Sequence, residues 1–422
     1  MRCSVGLLGF VMACGGGGGG QSDAMPGSDA LVDAPADAPL APVTITVTSY
    51  KDLLQQNAAV VAYQDGSGSW TAATGGGGLY TFDITGSRYA VAWVCSSSAT
   101  ARVVHAYYLT RTDATRFVAD CGASTTPYHV TGAVSGLTTG QSVNIQFGSI
   151  SNTPASFGSA TYDIDAIQSP MDIVLSVKTN GDFVKFLRQS TLLSATMNFN
   201  LANGFLPESH TGSVTNAAPG ETLEFDGHWL TKYGTAVLLG GAGTAFSTIP
   251  AADIMTSDVQ FVTAIGLSST GYRTATIWGT TLADSAFTLP PFIGTVDASA
   301  TARHSIHASV PAAAGDYYTL DVRQTVSGGS PLSANDFVSV SSGWVGSAAN
   351  VALDVPDLSA FSGWLTGWNN VAGTAIDWTV SQQTNNHGFA AIVPSIAPGT
   401  LTPDSFATQT ATSTSAGSSL IP

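Results

Sequence analysis

The sequence predicts an all-β protein: tandem antiparallel β-sandwich modules behind a disordered N-terminal tether. Three observations carry that expectation. Apolar and polar residues alternate strictly over short stretches such as Val43-Thr44-Ile45-Thr46-Val47-Thr48, the period-two pattern of a half-buried strand. Turn signals built on Gly, Asn and Pro separate these stretches throughout the 422 residues, with 46 glycines among them. Charged residues make up only 10% of the chain, against about 25% in an average soluble protein, so hydroxyl and amide groups supply most of the polar faces.

Met1-Arg2-Cys3-Ser4 brings one positive charge and Val5 to Ala13 a short apolar run, the pattern of an export signal over residues 1–13. The run is too short for a membrane span, which needs about 20 apolar residues in a helix. It ends at Val11-Met12-Ala13-Cys14, which resembles a bacterial lipobox. That resemblance implies cleavage before Cys14, acylation of its thiol with diacylglycerol and a further fatty acid on the new amino group. Several acyl chains hold a protein durably where one does not, so the implied partner is a membrane. Gly15 in place of Asp implies an outer-membrane or cell-surface destination. The alternative is a plain secretory signal with an incidental cysteine.

Residues 14–42 read as a tether. Glycine follows Cys14 without a break to Gly20, and Asp, Ala and Pro then alternate up to Pro42 with no aromatic residue, a composition with little to bury. The glycine start and the Asp-Ala-Pro linker together resemble surface lipoproteins of myxobacterial type. Asp and Glu number 28 against 13 Lys and Arg, a formal charge of -15, which repels phosphate backbones and disfavours nucleic acid as a partner. Cys3 and Cys14 fall in the signal and anchor, leaving Cys95 and Cys121 as an expected disulfide in an oxidising compartment, with two buried thiols as the alternative.

The first module, 43–127, carries strands at Val43–Thr48, Ala59–Tyr63, Leu79–Ile84, Arg88–Cys95, Arg102–Leu109 and Arg116–Cys121. Its runs Val61–Gly66, Gly78–Ile84 and Tyr89–Val91 resemble carboxypeptidase-regulatory-like or transthyretin-like sandwiches, which implies a non-catalytic module. A second module, 128–206, continues through Val143–Phe147, Asp172–Val177, Phe183–Leu187 and Thr196–Asn200. A third, 207–295, holds Thr222–Leu230, Thr235–Leu239, Val259–Leu267, Arg273–Gly279 and Ala286–Leu289. The last, 296–397, adds Ala302–Val310, Tyr317–Val326, Phe337–Ser341 and Ala375–Val380, with one short helix at Asp357–Trp368. There Leu358, Phe361, Leu365 and Trp368 recur at helical spacing behind a capping Asp357, although Gly363 and Gly367 weaken the pattern. Residues 398–422 read as a Ser/Thr-rich, low-complexity tail. Thr81-Phe82-Asp83-Ile84 is echoed at Thr161-Tyr162-Asp163-Ile164 and Thr319-Leu320-Asp321-Val322, either an internal repeat or the recurrence of a common strand pattern.

The sharpest candidate for chemistry is Glu224, Asp226 and His228, which share one face of a strand while Leu223, Phe225 and Trp229 take the other. Neighbours on that face stand about 6.5 to 7 Å apart, near enough to share a metal or divide acid and base roles if other strands contribute. The same spacing describes the wet face of an amphipathic strand. Asp163 and Asp165 also share a face, but no calcium-loop pattern surrounds them. His304 and His307 fall on opposite faces of an extended strand. Trp344, Trp364, Trp368 and Trp378 fit a sugar-stacking platform or a core. The sequence contains no GxSxG elbow, HExxH zinc helix or phosphate-binding loop.

The function expected is therefore a lipid-anchored surface protein that binds, adheres or builds structure without catalysis or a cofactor, its ligand a glycan or a protein. The rival is an exported polysaccharide hydrolase using carboxylates near Glu224 and Asp226. A transmembrane β-barrel is a weaker third reading, opposed by the lipobox and by the lack of regular aromatic girdles.

Overall fold

The computed structural model describes residues 40–421, apart from 52–53, 122–127, 149, 153–158, 167–170, 192, 233–234, 257, 270, 313–314, 328–331 and 386–408. The expected signal, Cys14 and all but the last residues of the tether lie outside the described residues. The described chain is all-β, with 30 strands and three short helical turns.

The first region contains β1 (Val43–Lys51), β2 (Leu54–Gln55), β3 (Val60–Asp65), β4 (Thr71–Ala72), β5 (Thr74–Gly76), β6 (Leu79–Ile84), β7 (Arg88–Ser98), β8 (Ala101–Thr110) and β9 (Arg116–Asp120). β1 pairs antiparallel with β6 and parallel with β9. This sheet faces a second one built on β3, β7 and β8, and Ile45, Val47, Phe82 and Ile84 meet Val61, Tyr89, Val91 and Trp93 between them. Tyr89 to Cys95 is an unbroken apolar run, and every residue of it is buried. Such a run marks a strand covered on both faces: Tyr89, Val91, Trp93 and Cys95 enter this core, and Ala90, Ala92 and Val94 point away from it.

The second region contains β10 (Tyr128–Ser135), β11 (Gln141–Phe147), β12 (Ile150–Asn152), β13 (Ser159–Ala166), β14 (Met171–Thr179), β15 (Asp182–Thr191) and β16 (Phe199–Asn200). Sheets β13-β10-β16 and β12-β11-β14-β15 close on Val130, Ile145, Ile164, Leu175 and Phe199. The third region contains β17 (Glu208–Val214), β18 (Thr222–Leu230), β19 (Ala236–Ala242), β20 (Ala245–Thr248), β21 (Val259–Leu267), β22 (Tyr272–Gly279) and β23 (Ser285–Phe287). Its core is Phe225, Phe246, Val262 and Phe287. A separate cluster of Val174, Phe186, Trp229, Val237, Leu239 and Ile249 joins the second region to the third.

The last region contains β24 (Asp297–Ala302), β25 (Ser305–Pro311), β26 (Tyr317–Val326), β27 (Leu332–Ser341), α1 (Ser342–Val345), β28 (Asn350–Asp354), β29 (Ala375–Asn385) and β30 (Gln409–Leu420). β27 pairs parallel with β8, from Ser333↔Ala101 to Val340↔Tyr108. One sheet therefore runs β23-β17-β20-β19-β18-β21-β22-β30-β29-β26-β27-β8-β7-β3-β4. Ala90, Ala92 and Val94 meet Ile306, Val310, Leu320, Val338 and Leu353 in a core common to the first and last regions.

Three expectations change. Asp357–Trp368 is not an α-helix: it is a chain of turns ending in a 3-10 turn at Thr366–Trp368, and Asp357 caps a local turn by accepting from Ser359 N at 3.0 Å. A Cβ on Gly363, whose φ is +103°, would stand 2.1 Å from the Ala59 carbonyl oxygen, and one on Gly367 2.4 Å from that of Ala99. The segment lies flat against the backbone of the first region, so glycine is required and helical propensity is overridden. The strand expected at Ala302–Val310 is broken by a turn at Arg303-His304. The residues expected as a Ser/Thr-rich tail include β30, which forms a strand inside the large sheet.

Candidate functional site

β18 presents Glu224, Asp226 and His228 on one face, and buries Phe225 and Trp229 on the other. On the neighbouring β21 these three stand opposite Ile265, Thr263 and Phe261. His228 stacks on Phe261 with ring centroids 4.5 Å apart and planes 5° apart, and Phe261 packs on Trp278 at 4.1 Å. Burial pushes the His228 imidazole down to about 4, so it is neutral at neutral pH. Burial, with the adjacent Glu224 charge, raises the Asp226 carboxyl above the usual range. One strand thus carries an exposed carboxylate, a carboxyl that keeps its proton longer than usual, and an imidazole held in an aromatic stack. Proton transfer is within the chemistry of Asp226. Among the described residues no group of three or more His, Cys, Asp or Glu is arranged to hold a metal ion.

The other candidates are dispersed. Asp163 and Asp165 flank His129, with Nε2 3.3 Å from the Asp163 carboxylate and Nδ1 3.0 Å from that of Asp165. All three are exposed, and the hydrogen bond to Asp165, then the Asp163 charge, raises the imidazole. His129 escaped the sequence reading because its partners lie on β13, across the sheet from β10. His304 sits in the turn and packs edge-on against Trp364, whereas His307 pairs with Asp354 at 2.6 Å. Trp368 is buried and donates from Nε1 to the Ser98 carbonyl; Trp344, Trp364 and Trp378 pack around the same core.

Cys95 and Cys121 form a disulfide, with Cα atoms 4.9 Å apart. It ties β7 in the large sheet to the end of β9 in the facing sheet. Closing a loop of this size stabilises a fold by about 3 kcal/mol in the chain-entropy account. Replacing both cysteines by serine is expected to lower stability by that order. Equal urea midpoints for the oxidised and reduced native protein would contradict it.

The polar centres that the sequence did not reveal are three buried arginines. Arg102 pairs with Asp336 across the β8–β27 joint and donates to the Trp368 carbonyl at 2.9 Å and to Asn370 Oδ1 at 3.2 Å. Arg188 holds Asp172 at 2.9 Å and also Asp258, bridging the second and third regions. Arg273 grips Glu221 through Nε and Nη2, both at 2.7 Å, and this hydrogen bonding holds the Glu221 carboxyl below its ordinary range. Buried charges persist only when paired and hydrogen-bonded. All three arginines meet that requirement.

No family model matches the chain, and no curated protein matches it. Among solved structures it aligns with the FN1–FN3 domains of chicken CNTN1 at 12% identity and a TM-score of 0.15, over 71% of this chain and 90% of that one. It also aligns with Escherichia coli alpha-2-macroglobulin activated by porcine elastase, at 7% identity and a TM-score of 0.17, over 90% of this chain and 44% of that one. The chain spans less than half the length of the macroglobulin. The all-β assignment rests on the strands and their pairing.

Proposed function

We propose that the chain is a lipid-anchored surface protein that binds or adheres through its β modules, and that Cys14 carries the lipid. The observation that best supports a scaffold is the sheet shared by the first and last regions, with a common core and a buried Arg102–Asp336 pair at their joint. A large apolar core shared between two regions resists relative motion of its parts. The exposed and half-exposed strand positions are rich in Thr, Ser, Asn and Gln, such as Thr263, Thr274, Thr319, Asn335, Thr379 and Gln383. Such groups suit a glycan or a protein ligand recognised by hydrogen bonds.

Cys14→Ala is expected to abolish palmitate labelling and to shift the protein from the membrane fraction to the soluble one. Labelling that persists in the variant would defeat the anchor. The same purified protein, assayed on polysaccharides, is expected to release no reducing ends. Hydrolysis that disappears in Asp226→Asn or Glu224→Gln would replace the binding role with the hydrolase reading.

A further inference from the structure

We propose that Ser299, His307 and Asp354 act as nucleophile, base and orienting carboxylate, and that the chain cleaves neutral carboxylic esters at Ser299. This activity goes beyond the binding role and stands independently of the anchor. The three residues form one row across the sheet β24-β25-β28: His307 of β25 is the register partner of Ser299 on β24 and of Asp354 on β28. Direct partners point their side chains to the same face. The other face of this sheet carries Ala298, Ile306, Ala308 and Leu353 into the core common to the first and last regions, so the row faces solvent, where Ser299 and Asp354 are exposed.

The backbone sets both spacings. The Ile306 carbonyl accepts from the Val355 N–H at 3.0 Å, so Ile306 turns its backbone groups to β28, and the Ala298 carbonyl accepts from Ser419 Oγ at 3.1 Å, on the side away from β25. Backbone groups alternate sides along a strand, so Ser299 and His307 are a hydrogen-bonded pair with Cβ atoms about 5 Å apart, and His307 and Asp354 are the closer, non-hydrogen-bonded kind. His307 Nδ1 meets Asp354 Oδ1 at 2.6 Å. A carboxylate only accepts, so Nδ1 carries the proton and Nε2 keeps its lone pair. A hydroxyl beside an imidazole that a third group orients is the signature of an activated nucleophile. The same alternation turns the Ala300 N–H, next after Ser299, to the outer edge of β24, where among the described residues the sheet ends, and there it can donate to an oxyanion.

In the reaction Nε2 takes the hydroxyl proton as Ser299 Oγ bonds to the acyl carbon, and hands it to the leaving alcohol as the ester C–O bond breaks. Water deprotonated by the same nitrogen then attacks the acyl-serine; the carboxylic acid leaves and Oγ regains a proton. Asp297, exposed and two residues before Ser299 on the same face, adds to the negative charge of Asp354 and disfavours an anionic acyl group. Ester cleavage releases no reducing ends, which separates it from glycoside hydrolysis.

The test treats the full chain with a fluorophosphonate probe and assays it on p-nitrophenyl acetate. The probe is expected on the peptide that contains Ser299, and only in the native protein. Ser299→Ala should abolish acetate release, and His307→Gln and Asp354→Asn should slow it about 100-fold. Melting temperatures should stay at the parent value, because the three side chains lie outside the core. No adduct at Ser299 overturns the proposal. So does hydrolysis that Ser299→Ala leaves intact, which would come from the imidazole alone, and so does labelling of Ser299 that His307→Gln leaves unchanged, because the hydroxyl is then not activated by that base.

Discussion

Arg188→Met is expected to unfold the junction between the second and third regions, lowering stability by about 3 to 5 kcal/mol, the range for removing one partner of a buried ion pair. The Arg188 side chain is 3% exposed, and the side chains of both its carboxylate partners are fully buried. Asp172 takes Nε at 3.0 Å and Nη2 at 2.9 Å. Asp258 takes the other arm of the guanidinium and also accepts from Trp229 Nε1 at 3.1 Å and Lys232 N at 3.0 Å. Removing the cation strands two negative charges where water cannot reach them. Truncation also removes the guanidinium from over the Trp229 ring, where it lies 5.4 Å from the centroid.

A urea titration followed by amide hydrogen exchange at the strands around Arg188 and Trp229 reads this locally, which matters in a chain with several cores, where one global transition is not assured. A midpoint unchanged from the parent would show that the arginine is idle. Adding Asp172→Asn and Asp258→Asn to Arg188→Met is expected to recover part of the loss, because the uncompensated charges are then gone. A lost packing contact alone would not be recovered in that way.

These centres explain what the sequence could and could not disclose. Alternation along one strand is a local property, so Thr222–Leu230, Val259–Leu267 and Tyr317–Val326 are strands with the bounds that alternation predicts. In the echo of Thr81–Ile84 at Thr161–Ile164 and Thr319–Val322 the apolar residues are likewise buried, and Thr and Asp lie on the outer face. Pairing is not local. Arg102 and Asp336 are 234 residues apart, and Arg188 and Asp258 are 70 apart, and nothing near either arginine in the sequence marks its partner. β30 was illegible for a different reason. Between Gln409 and Leu420 at its ends its side chains are Thr, Ser, Ala and Gly, with almost no apolar alternation, because backbone pairing with two neighbours holds it rather than a buried face. The expected helix failed at its glycines, which are set by the approach of another region's backbone.

His228 itself was legible as a polar-face residue, but its aromatic stack was not, and that stack gives the second large expectation. Stability should fall steeply as pH drops from about 6.5 towards 4. Burial lowers both His105 and His228 from 6.5 to about 4. His105 is held between Trp93 at 5.6 Å and Phe337 at 5.2 Å, beside the β8–β27 joint, and His228 lies against Phe261. Above about pH 6.5 both rings are neutral in the folded and unfolded chains, and they add no pH dependence. Below it, the unfolded chain takes up protons that the folded chain refuses, so unfolding gains free energy with each step down in pH until the folded rings titrate near 4. The full shift corresponds to an upper bound of about 3 kcal/mol for each ring, and partial exposure reduces it.

The carboxylate held low by an arginine, Glu221, loses its contribution only as pH falls through its own depressed value, so its effect comes at the acid end of this window or below it. His105→Phe with His228→Phe is therefore expected to flatten the fall in melting temperature between pH 6.5 and 4 while changing the pH 8 value far less. Parallel curves for the parent and the double variant would show that the acid sensitivity lies with the carboxylates instead.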